Sequence, residues 1–244
     1  MTLRKSMLFG VLLAIPVVCN ALKTPDPAKA SNITTARFSL NEVDREAYPS
    51  GEKVTYSLNA FGLPKGKHYI LWLHSVSQGW NPISTGWMTD QQGEISCLAK
   101  PGLKTGLAMC QGRLSDQKVA FDEFQKGEPF QFALTSEDGQ FQIFAKVFPS
   151  PLEAIDGTCR ISGEIQSVNM LTFSGSGFRP MEKLRTLSQS GREIISQDLV
   201  ADSRGRFSKM VLPGVEGKTG GKASLKIISN TCSPQLDYEW GIQN

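Results

Sequence analysis

The chain lacks several features on which enzyme active sites depend. Its 244 residues include only two histidines, His68 and His74. Both lie in residues 67–74, which have the pattern of a strand, where residues six apart are separated by about 20 Å. The two histidines therefore do not form a metal site or a catalytic dyad by themselves, and a Ser-His-Asp triad would need one of them. We expect no catalytic residues and no enzymatic activity.

Metal and cofactor motifs are also missing. The sequence has no C-x-x-C pair and no G-x-S-x-G elbow, and the glycine-rich residues 214–221 lack the order of a phosphate-binding loop. Asp90 and Asp202 each stand three residues before a glycine, which indicates turn-forming aspartates; calcium binding is the alternative, without the dense acidic spacing of calcium loops. We expect no bound metal and no cofactor. A carboxylate pair from dispersed positions stays open, with these candidates: Asp122, Glu123, Glu137 and Asp138.

Charge is low and nearly balanced. Charged residues make up 20% of the chain, and the formal net charge is +3. Arg4 and Lys5 account for two of the 26 basic residues, so the rest of the chain carries 24 bases against 23 acids. Nucleic-acid binding depends on a strongly basic surface. We therefore expect no nucleic-acid partner.

Long apolar runs are missing after the N-terminus. A short basic region precedes an apolar run at residues 7–18, and Ala21 follows. This order is typical of a cleaved secretory signal at residues 1–21, and the run is shorter than the ~20 residues that span a bilayer. The sequence predicts an exported protein that is periplasmic, outer-membrane associated or secreted, with only peripheral membrane contact. Cys19 leaves a lipid anchor open, although Val18 stands where such signals prefer a small residue.

Cysteine is sparse but even in number. Four remain beside Cys19: Cys97, Cys110, Cys159 and Cys232. In an exported protein, disulfides are the default state of such residues. Four cysteines allow three pairings, and their spacing does not choose among them. The division into two domains described below favours Cys97–Cys110 and Cys159–Cys232.

Short strand patterns dominate the chain after a polar stretch at residues 22–35, which we predict to be a flexible linker. In residues 53–61, every second side chain is apolar. Residues 129–135 and 141–147 alternate in the same way around a turn at 137–139, which predicts a β-hairpin. Similar segments follow at residues 158–168, 171–173, 192–200, 206–212, 222–230 and 235–240, with Gly and Pro turns between them. No helical pattern exceeds two turns. This organisation indicates β-sandwiches or barrels.

The two halves of the chain resemble each other. A strand pattern ends at Gly62 and again at Gly177, each time followed by an apolar residue and a proline. Further on, the turn from Asp90 to a glycine matches the turn that starts at Asp202. Two matches in the same order predict tandem domains of one fold.

We place these domains at residues 36–148 and 158–244, joined by a linker at 149–157. The second copy carries the fuller motif, with G-x-G-F-x-P at 175–180 and A-D-x-x-G-x-F at 201–207. This combination resembles the Ig-like β-sandwich modules of exported bacterial envelope proteins. The resemblance implies an all-β fold of two tandem antiparallel Ig-like sandwiches with a binding or structural role, and it supplies no catalytic residues.

Two tryptophans are candidates for contact with a partner or ligand. Trp80 stands before an Asn-Pro pair that predicts an exposed turn, and Trp87 follows the same segment. An exposed tryptophan is a strong anchor at protein interfaces. The alternative for Trp80 is that its ring folds back over the end of the sandwich.

The sequence thus predicts a non-enzymatic exported cell-envelope protein that acts by protein–protein contacts. It would serve as a scaffold, in adhesion, or as an accessory subunit of an envelope or secretion complex. Its partners would be other envelope proteins or further copies of itself. Two alternatives stay open: a carbohydrate-binding protein that uses Trp80 or Trp87, and a hydrolase with dispersed carboxylates on a β scaffold.

Overall fold

The computed structural model of the chain describes residues 23–30, 35–49, 51–97, 110–122 and 124–241. The predicted signal peptide and Cys19 lie outside these residues. Over the described ranges the chain is all-β, with four antiparallel sheets and two 3-10 turns at Pro27–Lys29 and Leu114–Asp116, and it contains no α-helix. In the same ranges, no helix has the length and apolar character needed to cross a membrane.

Eight strands form the first half of the fold. They are β1 (Arg37–Tyr48), β2 (Gly51–Phe61), β3 (His68–Ser75), β4 (Gly79–Thr89), β5 (Ile95–Cys97), β6 (Lys118–Phe121), β7 (Phe130–Ser136) and β8 (Gln142–Val147). One sheet has the order β1-β2-β6 and the other the order β5-β4-β3-β7-β8. The apolar face predicted for β2 is buried between them, against inward-facing side chains of β3 and β7. The predicted hairpin is confirmed, because β7 and β8 pair around a turn in which Gly139 has a φ of 68°.

Eight further strands form the second half. They are β9 (Leu152–Asp156), β10 (Cys159–Ser167), β11 (Met170–Ser176), β12 (Lys183–Ser190), β13 (Glu193–Val200), β14 (Phe207–Val211), β15 (Gly220–Ile228) and β16 (Gln235–Gly241). The two sheets have the orders β9-β10-β11-β14 and β13-β12-β15-β16. Alternate residues such as Ile161, Phe173 and Leu225 meet in a second core that is separate from the first. Each half therefore buries its own apolar face between two sheets.

The two halves connect their strands in the same order. In the first half β2 pairs with β6 and β3 with β7, and in the second β11 pairs with β14 and β12 with β15. The repeated glycine also has one role in both halves. Gly62 and Gly177 have φ values of 69° and 82°, and a Cβ there would come within 2.3 Å of the carbonyl oxygen of Thr35 and 1.8 Å of that of Thr158. Glycine is required at both strand ends because the backbone leaves no room for a side chain.

The second repeated motif is the same turn in both halves. The Oδ1 atom of Asp90 accepts the backbone N–H of Glu94 at 2.9 Å, and Oδ1 of Asp202 accepts that of Arg206 at 2.9 Å. This confirms that both aspartates form turns. The chain then diverges, since β5 stays beside β4 whereas β14 crosses to the other sheet beside β11. The first half makes that crossing only at β6, so β5 has no counterpart in the second half, and the shared order resumes with β6 and β14.

The segments predicted to be linkers make defined contacts. Residues Leu152–Asp156 form β9, because Leu152 is buried in the second core and the strand pairs with β10. Near the N-terminus, Pro25 is buried and the backbone N–H of Asp26 donates to Oε1 of Gln142 at 2.9 Å. Parts of both segments are therefore held against the sandwiches.

Each half contains one disulfide. Cys97 bonds to Cys110 with a Cα–Cα separation of 5.4 Å, and Cys159 bonds to Cys232 with a separation of 6.3 Å. This is the pairing that the two-domain interpretation favours. Two disulfides indicate an oxidising environment of the kind that exported proteins meet.

Candidate interaction surface

Both tryptophans that the sequence singles out lie in strand β4. Trp87 is in the first core with 1% of its surface exposed, and its Nε1–H donates to Oγ of Ser84 at 2.8 Å. A partner therefore does not reach Trp87 in this fold. The turn expected beside Trp80 is wrong, because Pro82 lies within β4. Proline is tolerated there because the register shifts nearby and β5 covers only the far end of β4.

Trp80 belongs to a small apolar cluster on the outer face of the five-stranded sheet. Its ring centroid lies 5.1 Å from that of His74 and 5.9 Å from that of Phe144. Beside it, the buried Trp72 donates from Nε1 to Oγ1 of Thr135 at 2.8 Å. Burial lowers the pKa of His74, which favours the neutral ring. Trp80 packs against this cluster and is half-buried, so part of its surface stays accessible.

Three of the four candidate carboxylates lie among the described residues, and all three are exposed. Asp138 forms an ion pair with Lys67, which, with the hydroxyl of Ser136, holds the pKa of that carboxyl far below its ordinary value. A general acid needs the opposite shift. Asp122 and Glu137 are exposed, and Glu123 lies outside the described residues. The described residues also contain no cluster of three His, Cys, Asp or Glu side chains that would hold a metal ion.

A groove of about 790 Å³ lies where the two halves meet. Its walls are largely apolar, with Phe124 from the first half and Ile165 and Val168 from the second. Glu128 is half-buried in it, and burial raises the pKa of this carboxyl while the backbone N–H of Gln125 binds it at 3.2 Å. The backbone N–H of Val76 also binds this carboxyl, so Glu128 links its own turn to the connection between β3 and β4.

The sheet edges offer the clearest surface for another protein. An unpaired edge carries free N–H and C=O groups, and native proteins usually protect edges by short strands, bulges, lysines or cover. Among the described edges, β5 and β6 have three and four residues, β1 contains a bulge after Glu42, and β8 carries Lys146 and lies against β1. Strands β9 and β14 have five residues each, and β16 lies near β9.

Strand β13 has none of these protections. Its eight residues pair with β12 in unbroken register, and no strand formed by the described residues lies on its other side. It contains no lysine, proline or glycine, and seven of its eight residues are exposed. Three of these are aliphatic, with exposed fractions of 63% for Ile194, 49% for Ile195 and 52% for Val200. The charge of Asp198 is neutralised within its own sheet, since Arg185 lies 3.4 Å from it.

The turn before β13 determines which backbone groups point outward. Gly191 has a φ of 60° in a two-residue loop between β12 and β13, which is the geometry of a type II′ hairpin. Ser190 and Glu193 then form a hydrogen-bonded pair, and hydrogen bonds in an antiparallel ladder involve alternate residues. The N–H and C=O groups that face away from the sheet therefore belong to four residues: Ile194, Ser196, Asp198 and Val200.

The side of the sandwich beneath β13 is partly open. A cleft of about 130 Å³ lies there, and Ile195, Val211 and Pro213 contribute to its lining. Lys209 of β14 bridges the gap, because its Nζ donates to Oγ1 of Thr186 and Oε1 of Gln197 at 2.7 Å each. Burial lowers the pKa of Lys209. The exposed strand thus adjoins a recess lined by both apolar and polar side chains, Glu193 among them.

The sequence predicted this strand at residues 192–200 but not its position at an edge. Its neighbour β12 was not predicted, and sheet order depends on such long-range pairing. The sequence does contain one indication of this surface. Aliphatic residues occur on both faces of β13, whereas a strand with one face in water usually alternates apolar and polar residues. No protein-family model matches the chain, and no curated protein is significantly similar to it in sequence.

Proposed function

We propose that this chain is a non-enzymatic exported cell-envelope protein that acts by protein–protein contacts. It serves as a scaffold, in adhesion, or as an accessory subunit of an envelope or secretion complex. The observation that carries this proposal is β13, an eight-residue unpaired edge with exposed Ile194, Ile195 and Val200. Addition of a partner strand to such an edge supplies main-chain hydrogen bonds, and exposed side chains add specificity.

We assign the two halves to tandem Ig-like domains at residues 36–148 and 158–244, with β9 of the connecting segment added as an extra strand beside β10. In Ig sandwiches the second strand pairs with a later strand of its own sheet, while the third pairs with the strand before the last. The pairs β2–β6 and β3–β7, and again β11–β14 and β12–β15, follow this rule. Separate cores and one disulfide in each half agree with two domains.

A periplasmic or outer-membrane-associated position in a bacterial envelope fits this assignment. The N-terminal signal pattern provides export, and the disulfides suit the oxidising compartment beyond the inner membrane. Mass spectrometry of the exported chain tests this: we expect a mature protein that starts at residue 22. A chain that keeps residues 1–21 and remains in the cytoplasm would contradict export, and a diacylated Cys19 would identify a lipoprotein.

Contact through β13 is tested by in-cell crosslinking in the native host followed by affinity capture. The edge is blocked by Ile194→Lys, because a lysine on an edge strand opposes strand addition. The matched control is Ile155→Lys, which makes the same change on β9, where Ile155 is 67% exposed. We expect Ile194→Lys to lose the crosslinked species and Ile155→Lys to retain them. Equal capture by both variants, or by neither, would count against β13 as the contact surface.

A further inference from the structure

We propose that β13 pairs antiparallel with β13 of a second copy of this chain, about a twofold axis at Gln197. This inference rests on the proposed function and names the partner of the same edge. The two four-stranded sheets β13-β12-β15-β16 would then join into one sheet of eight strands. Such an interface is isologous, since each copy contributes the same strand.

The residues on the outward-directed positions are self-complementary in this register. If the sheet continues across the twofold axis, residues that face the same side come opposite each other. Pairing about Gln197 places Ile194 opposite Val200 of the second copy, twice by symmetry. It also places Ser196 opposite Asp198 of the second copy, where a hydroxyl meets a carboxylate.

The other side of the strand is complementary as well. Ile195 comes opposite Leu199 of the second copy, again twice, beside the cleft that Ile195 and Val211 line. Cross-strand apolar pairs of this kind are the main source of sheet stabilisation. The dimer would therefore cover the aliphatic side chains that the edge strand of a single copy leaves exposed.

Charges in this register do not conflict. Glu193 comes opposite Ala201 of the second copy, and Asp198 opposite a serine, so no two acids face each other. Just beyond the strand ends, Arg192 comes opposite Asp202 of the second copy at both ends. Opposite charges directly across an antiparallel pair are favourable, whereas like charges are destabilising.

Neighbouring registers are poorer. An axis at Ile195 leaves one apolar pair, Ile195 with its own symmetry mate, and places Ile194 opposite a serine. An axis at Ser196 places Ile194 opposite Asp198 of the second copy and leaves no apolar pair within the strand. The register about Gln197 has four apolar pairs, against one for the axis at Ile195 and none for the axis at Ser196, so it is the one that the side chains select.

The test combines sedimentation of the exported chain with single-cysteine crosslinking. Gln197 meets its own symmetry mate at a non-hydrogen-bonded position, where Cα atoms are about 4.5 Å apart, within the range of a disulfide. We expect Gln197→Cys to form a disulfide-linked dimer under mild oxidation. The matched variant Ile155→Cys, on exposed β9, should stay monomeric on non-reducing gels.

Sedimentation gives the second measurement. We expect a concentration-dependent dimer whose dissociation constant rises at least tenfold in Ile194→Lys and stays within twofold in Ile155→Lys, with circular dichroism reporting that both variants fold. An exported chain that is monomeric up to about 1 mM, or that dimerises equally well with Ile194→Lys, would overturn the self-pairing. More efficient crosslinking through Ile195→Cys than through Gln197→Cys would overturn the register.

The two proposals fail in distinguishable ways. If the chain is monomeric but Ile194→Lys still abolishes capture of envelope proteins in the host, self-pairing is wrong and contact through β13 stands. If Ile194→Lys changes neither self-association nor capture, both are wrong.

Discussion

At the scale of single residues, the fold depends on a few positions where the backbone has room only for glycine. Gly177 and Gly62 occupy the same place in the two halves, at the end of β11 and β2, where a Cβ would meet a carbonyl oxygen. These glycines were visible in the sequence as a repeat. The reason for the repeat, a strand end that crosses closely over the preceding chain, is visible only in three dimensions.

Gly177→Ala should therefore strongly destabilise the second half. The added Cβ would come within 1.8 Å of the Thr158 oxygen at a φ of 82°, so the backbone must shift. We expect a loss of about 2–4 kcal/mol in the free energy of unfolding, measured in urea. The control Gly157→Ala has a φ of 60° but open space around the Cβ, and we expect about 1 kcal/mol. Equal losses in the two variants would contradict the steric explanation.

Asp202 should make stability depend on pH. The backbone N–H groups of Arg206 and Arg204 lower the pKa of this carboxyl in the folded state. The charged form therefore stabilises the fold above the unfolded-state pKa of about 3.9, and this contribution is lost as the pH falls through the lower folded-state pKa.

The variant Asp202→Asn keeps an oxygen acceptor for the turn but does not titrate. We expect the wild type to be more stable than this variant at pH 7, by an amount that stays constant down to about pH 4 and then shrinks. Urea unfolding at a series of pH values measures the difference. A difference that does not change between pH 7 and pH 2 would show that the charge has no role.

At the scale of strands, the sequence predicted the positions of most strands but not how the strands pair into sheets. Alternation located β2, β7, β8 and most strands of the second half, because period-two burial is a local property. It missed β12, where the buried Leu184 and Thr186 alternate with the charged Lys183 and Arg185. Without β12 the neighbours of β13 were unknown. The candidate interaction surface therefore depends on pairing between distant segments, which periodicity does not encode.

The disulfides should contribute unequally to the stability of their halves. Cys159–Cys232 closes a loop of 73 residues between β10 and the β15–β16 connection, whereas Cys97–Cys110 spans 13. The entropy of loop closure gives about 4.4 and 2.9 kcal/mol for loops of these lengths. We expect the double variant Cys159→Ala/Cys232→Ala to lose about 1.5 kcal/mol more than Cys97→Ala/Cys110→Ala, measured by urea unfolding. The reverse order would mean that local packing outweighs chain entropy here.

At the scale of the whole molecule, the two halves are joined by specific contacts. The backbone N–H of Gly127 donates to the Ser150 oxygen at 2.7 Å, and its carbonyl accepts the N–H of Ile165 at 3.0 Å. Arg45 reaches from the β1–β2 hairpin to donate to the Pro149 oxygen at 2.9 Å. These contacts fix how the β13 edge is presented relative to the first half. The acceptors at Pro149 and Ser150 lie within the linker that the sequence predicted, whereas their donors belong to the first half.

Gly127→Val should weaken this junction. A Cβ at Gly127 would lie 2.9 Å from that of Leu152 and 3.2 Å from the Gly163 oxygen, at a φ of 87°. We expect the wild type to unfold in a single calorimetric transition and Gly127→Val to unfold in two, one for each half. Gly66→Val, at a similar φ in open space, should keep one transition. A single transition in Gly127→Val would show that the halves do not depend on this contact.

The most direct test of the account is residue-resolved hydrogen exchange along β13. In the dilute protein, the amides of Ile194, Ser196, Asp198 and Val200 should exchange fast, while those of the intervening residues, bonded to β12, should exchange slowly. When the chain associates, the four fast amides should become protected, and the amide of Ile155 on β9 should not change. Association shown by sedimentation without protection of these four amides would contradict the claim that β13 is the surface through which this protein binds.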